Sequence, residues 1–138
     1  MNAVGPLAVL LVEDDELQQT SVRRALEKAG ITHPLFVAGD GVEALELLRS
    51  GKMPARRLVL LDVNMPRMDG LAFLGAVRAD PLLKPLIVVM LTTSQEPRDK
   101  LEAQELNCAG YLRKSSDFPK FVEQLRVLGQ YWSMMEIP

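Results

Sequence analysis

The chain has 138 residues, 48% hydrophobic and 25% charged, with a net charge of −2, which describes one globular domain and not a disordered segment. The slightly acidic balance gives no electrostatic case for nucleic acid, and the longest apolar run, Leu86–Leu91, is far too short to span a bilayer. Residues 1–6 carry neither a basic segment nor a long apolar one, so no signal peptide is expected, and a lone cysteine, Cys108, suits a reducing cytoplasm.

Val9–Val12 reads as the first strand. A helix follows over residues 15–29, with Val22, Ala25, Leu26 and Ala29 spaced i, i+3, i+4, i+7, Asp15 as its cap and Gly30 where a helix stops. Leu35–Ala38 is the second strand. Asp40 stands as the next cap, with Glu43 in capping-box register, and that helix runs through Leu45 and Leu48 to about Gly51. Leu58–Leu61 is the third strand, and a helix bearing Leu71, Leu74 and Val77 begins after Gly70. Pro85 precedes the fourth strand, Leu86–Leu91. A polar helix over 96–107, a fifth strand at Tyr111–Arg113 and a last helix over 117–133 complete the order. The strands are unbroken apolar runs, so both faces of the sheet are covered and the strands are parallel. The pattern is (βα)5 in a single domain, 1–138, with a core from about 8 to 131 and a tail over 132–138.

In a parallel sheet, every strand tip that leads into a helix lies on one rim. Glu13, Asp14 and Asp15, Asp62, Thr92, Thr93 and Ser94, and Lys114 therefore share it. That rim is where open α/β sheets bind ligands. Clustered carboxylates repel and raise one another's pKa unless a cation intervenes. Hard carboxylate oxygens with a backbone carbonyl suit Mg2+. A carboxylate can attack phosphorus to give an aspartyl phosphate, and a hydroxyl and an ammonium can then hold the phosphoryl oxygens. Taken singly, Asp14 and Asp15 also fit a helix cap and first turn, the threonines fit turn hydroxyls, and Lys114 fits an ordinary surface lysine.

Five segments together resemble the receiver domains of bacterial two-component response regulators: LLVEDD at 10–15, DGVEAL at 40–45, LVLLDVNMPRMDG at 58–70, VVMLTTS at 88–94 and GYLRK at 110–114. The resemblance runs from Val9 to about Tyr131. It implies a flavodoxin-like, doubly wound, five-stranded parallel sheet of order 2-1-3-4-5. It also implies Asp62 as phosphoacceptor, Asp14 as a direct Mg2+ ligand, Glu13 acting on the ion through water, and the Asn64 backbone carbonyl as a further ligand. Thr92 and Lys114 would hold the phosphoryl group, and Tyr111 stands at the aromatic switch position. One departure is that the family's proline after the lysine is Ser115 here. Either Lys114–Ser115 is a costly cis bond or the loop takes another path.

The implied function is a signalling switch: a sensor histidine kinase phosphorylates Asp62, and the altered surface changes a protein contact in the cytoplasm. With no output domain in 138 residues, signalling through protein contacts or a phosphorelay is expected. The run Tyr131–Pro138 resembles the tails of stand-alone receivers paired with bacterial phytochromes. Two other readings stand beside this one. A pseudo-receiver would serve as a constitutive interaction module. An aspartyl-phosphate phosphatase would carry a second Asp where Asn64 stands. The last helix carries two apolar stripes. Phe121, Val122, Leu125, Leu128 and Trp132 should face the sheet, while Val127, Tyr131 and Met134 face outward beside Lys120 and Glu123. The outer stripe predicts a homodimer through this helix, with Lys120 and Glu123 pairing across a two-fold axis. The alternative is a tail folded back on its own domain.

Overall fold

A computed structural model describes residues 7–62, 70–92 and 110–133, except the side chains of Thr92, Tyr111 and Ser133. Along the chain come β1 (Ala8–Val12), α1 (Glu16–Lys28), β2 (Leu35–Ala38), α2 (Gly41–Arg49), β3 (Arg57–Leu61), α3 (Gly70–Ala79), β4 (Ile87–Thr92), β5 (Gly110–Arg113) and α4 (Phe118–Ser133). The helix expected over 96–107 lies outside the described residues. No helix among the described residues is long and apolar enough to cross a membrane.

The strands form one parallel sheet of order β2-β1-β3-β4-β5. Successive strand residues point to opposite faces, so each apolar run feeds two cores at once. Leu10, Val12, Val59, Leu61, Val88 and Met90 meet α2 and α3 through Leu45, Leu48, Phe73, Leu74 and Val77. Val9, Leu11, Leu58, Leu60, Val89 and Leu91 meet α1 and α4 on the other face, through Val22, Leu26, Phe121, Val122, Leu125 and Trp132. This double coverage is why the strands read as continuous apolar runs.

The helix ends follow from local chemistry. Asp15 Oδ1 accepts from the Leu17 N–H at 2.9 Å and caps α1. At its other end Gly30 has φ +80°, a region that side chains with a Cβ rarely enter. There the Gly30 N–H donates to the Glu27 carbonyl, and the Ile31 N–H to the Leu26 carbonyl, both at 3.0 Å. These are the two bonds of a Schellman motif. Asp40, buried at the head of α2, accepts from the Glu43 N–H at 2.8 Å.

Four strand starts differ from the sequence expectation by one residue: β1 begins at Ala8, β3 at Arg57, β4 at Ile87 and β5 at Gly110. Arg57 joins β3 because it pairs with Ala8. Leu86 stays out of β4 because its N–H donates to the Leu83 carbonyl at 2.9 Å, closing a turn.

The Asp40 cap holds α2 at the start of its first turn. Asp40→Ala should cost about 1 kcal/mol and lower Tm by a few degrees, whereas Asp40→Asn, which keeps an acceptor, should melt close to wild type. Equal melting of the alanine variant and wild type in a thermal scan would show that the cap contributes nothing.

Candidate functional site

The chain runs outward from β1 to β2 and then crosses back over β1 to β3. The direction of winding reverses between β1 and β3, and the crevice at their C-terminal ends is the place where such sheets bind ligands. Those two strands are hydrogen-bonded neighbours, with Val12 opposite Leu61. One more bond extends the ladder past its last pair, from the Asp62 N–H to the Val12 carbonyl at 3.1 Å. Glu13, Asp14 and Asp62 therefore emerge side by side. Their carboxylate oxygens all lie within 4.8 Å of one another. Glu13 is buried, Asp62 half-buried and Asp14 exposed.

Glu13 is held by several partners. Its N–H donates to the Ala38 carbonyl at 3.0 Å, which ties the site to β2. Its carbonyl accepts from Gln19 Nε2 at 2.6 Å, and Oε2 accepts from the Asp15 N–H at 3.3 Å. Oε1 pairs with Lys114 Nζ at 3.1 Å, and both side chains are less than a tenth exposed. Burial pushes the Glu13 carboxyl up from 4.5 to about 7. The Lys114 ammonium pulls it back down, and the charge of Asp62 adds to the rise. Even with an ammonium beside it, the Glu13 carboxyl therefore takes up a proton near neutral pH, chiefly because it is buried. Three converging hard oxygens suit a small divalent cation.

Lys114 follows the end of β5, where Arg113 pairs with Thr92 at the tip of β4. Nζ also donates to Gln18 Oε1 at 3.3 Å. The Lys114–Ser115 bond is trans, as is every peptide bond among the described residues, so the loop takes the second of the two courses left open by the missing proline. Thr92 ends β4, and Tyr111 pairs with Met90 inside the β4–β5 ladder. The positions and roles of their side chains lie outside the described residues, as do Asn64, Ser94 and Met134. Gln18, Gln19 and Gln124 also bond to the site or its loops. Sequence reasoning missed all three, because a glutamine on a helix has the same residue type whether it faces water or a carboxylate.

On α4, Phe121, Val122, Leu125 and Trp132 are buried as the first stripe requires. Val127 is 58% exposed and Tyr131 55% exposed. Lys120 and Glu123 are exposed beside them, and Glu123 is bonded to Arg126 on its own helix.

Comparison with known proteins agrees with this geometry. The family model for the response regulator receiver domain matches residues 9–126. The response regulator Rcp1 of Synechocystis is 32% identical over 131 residues, covering 92% of this chain and 89% of that one. The crystal structure of the phosphorylated cyanobacterial phytochrome response regulator RcpA superposes with a TM-score of 0.87 at 28% identity, over 97% of this chain and 99% of that one. The Mn2+-bound form of Rcp1 superposes with a TM-score of 0.84 at 31% identity, over 96% of this chain and 99% of that one. With its sheet order, its acidic crevice and a model match over most of its length, this chain belongs to the response regulator receiver domain family.

Proposed function

We propose that Asp62 is the carboxylate that takes the phosphoryl group in this receiver's phosphorylation-dependent signalling. The observation that carries the proposal is the meeting of Glu13, Asp14 and Asp62 within 4.8 Å, beside the buried Lys114 ammonium. One Asp62 oxygen attacks the phosphorus of a phosphohistidine on a sensor histidine kinase. The P–N bond breaks, its electron pair stays on the imidazole nitrogen, which takes a proton from solvent, and an acyl phosphate remains on Asp62. Lys114 neutralises charge on the phosphoryl oxygens, and the Thr92 hydroxyl donates to one of them. Tyr111 then turns inward as Thr92 moves. Asp14, Asp62 and the Asn64 carbonyl would hold Mg2+, with Glu13 acting through water, and the ion would supply further charge neutralisation. In this reading no outside substrate is turned over, and the receiver works in the cytoplasm.

RcpA is a phytochrome response regulator. That likeness, with the tail over 131–138, supports a phytochrome-type histidine kinase as partner. The exposed Val127 and Tyr131 support a homodimer through α4, with Lys120, Glu123 and Met134 at its border. Glu123 would have to exchange Arg126 for Lys120 of the second copy.

With acetyl phosphate and Mg2+ as donor, wild type should label and Asp62→Asn should not, while keeping the fold because the change is nearly isosteric. Labelling of the variant at the wild-type level would place the acceptor elsewhere.

The metal prediction has a definite sign with pH. Glu13 has a raised pKa when folded, so without a cation its contribution to stability is complete below about 4.5 and is lost as pH rises through about 7. A cation competes with that proton, so the gain in Tm from millimolar Mg2+ should be large near pH 8 and shrink towards about pH 5.5. An equal gain at both ends of that range would remove Glu13 from the surroundings of the ion.

Light scattering tests the dimer. Wild type should associate at high micromolar concentration, and a Val127→Glu/Tyr131→Glu variant should be monomeric. A monomeric wild type, with and without phosphorylation, rules this interface out.

A further inference from the structure

β5 ends at Arg113, the last residue paired in its ladder among the described residues. Lys114 is the first residue beyond that pair, yet its side chain is only 8% exposed and is aimed at Glu13 and Gln18. A lysine side chain has four rotatable bonds, and holding it there requires its backbone to be held first. Among the described residues no ladder pair includes Lys114, so strand register does not hold it there. A side chain from α4 does it instead. Gln124 Nε2 donates to the Arg113 carbonyl at 2.9 Å, and Gln124 Oε1 accepts from the Ser115 N–H at 3.1 Å. The donor and the acceptor of one planar amide are thus used on the two residues that flank Lys114. The Ser115 hydroxyl in turn accepts from the Asp117 N–H at 3.2 Å, so the chain beyond the clamp is also tied.

We infer that Gln124 is a positioning residue for phosphoryl transfer: its amide grips the backbone on both sides of Lys114 and so directs the ammonium into the acidic crevice. The inference rests on the assignment of Lys114 to the phosphoryl group. The hydrogen bonds of Gln124 go to the backbone on either side of Lys114, so it acts through Lys114. Loss of the clamp frees the loop, and displacement of a charge-neutralising group by a fraction of an ångström to an ångström slows transfer without unfolding the domain.

The test is the initial rate of labelling by acetyl phosphate and Mg2+ for wild type, Gln124→Leu, Lys114→Ala, the double variant and Asp62→Asn. Leucine keeps the bulk of glutamine and removes both hydrogen bonds. Far-UV spectra and thermal scans establish that each variant is folded. Gln124→Leu should label about tenfold more slowly than wild type, and adding it to Lys114→Ala should slow that variant no further, because the two act as one unit. Two results overturn the inference: labelling of folded Gln124→Leu at the wild-type rate, or an equal slowing in the presence and absence of Lys114, which marks a general structural effect. Labelling of Lys114→Ala at the wild-type rate overturns it as well, since the clamp would then hold nothing that matters. Asp62→Asn separates the two levels: label on that variant removes the phosphoacceptor assignment itself, whereas its absence together with an unaffected Gln124→Leu removes only the role of Gln124.

Discussion

Direct pairing of β1 with β3 is the constraint from which the site follows. Because Val12 lies opposite Leu61, the residues just past each strand must leave the sheet together, and the Asp62 N–H extends the ladder to the Val12 carbonyl. Glu13 and Asp14 on one side and Asp62 on the other have no room to separate. Burying a carboxylate at this point is unfavourable for folding, and the charge of Asp62 adds to the cost, as the raised Glu13 carboxyl records. The fold tolerates it because the same two strands bury Val9, Leu10, Leu11, Leu58, Val59 and Leu60 on the two faces of the sheet. Apolar burial just behind the rim offsets the electrostatic cost at the rim. The imbalance is also what makes the crevice receptive to a cation, since a fully compensated cluster would have little to gain from one.

Much of the fold was legible because its determinants are local. Continuous apolar runs gave five parallel strands, and Asp15, Gly30 and Asp40 marked helix ends through chemistry confined to three or four residues. What was not legible depends on a partner distant in sequence. Arg57 is a strand residue because Ala8 lies beside it, and Leu86 is not one because Leu83 takes its N–H. The same division runs through the site. Its carboxylates could be placed from sequence, since a strand tip fixes where a side chain emerges. The contacts that hold it could not. Glu13 and Lys114 are 101 positions apart, and the sequence reading gave Lys114 a phosphoryl group to hold but no resting partner. The structure supplies one in Glu13, so the ammonium is already in the crevice before any phosphoryl group arrives.

The missing proline after Lys114 shows how an irregular segment can be set by another element. Residue type at 115 alone left two paths open, one of them strained. With the bond trans, the loop is instead defined by an amide nine residues further on, one whose value depends on α4 lying against β5. The packing of Phe121 and Leu125 into the sheet, buried on either side of Gln124 in sequence, sets the depth at which that amide meets the loop. Hydrophobic contact fixes the helix, the helix fixes the amide, and the amide fixes the lysine.

That chain of contacts also joins the site to the outside of the molecule. On α4, Val127 and Tyr131 stand three and seven positions beyond Gln124, within about 60° of arc of it. Surface ion pairs contribute little, and Glu123 already has Arg126, so attraction on this face must come mainly from the half-exposed Val127 and Tyr131. A second copy seated on those two side chains would lie against the residue that grips the Lys114 loop. Any preference of that copy for one loop position over another would then alter the energy of placing the ammonium on a phosphoryl group. Linkage requires the reverse as well: a phosphoryl group that draws Lys114 to a new position must change the affinity of the face for its partner by the same factor. The two bonds of the Gln124 amide are the route by which such a coupling would pass, since a hydrogen bond weakens steeply as it lengthens or bends.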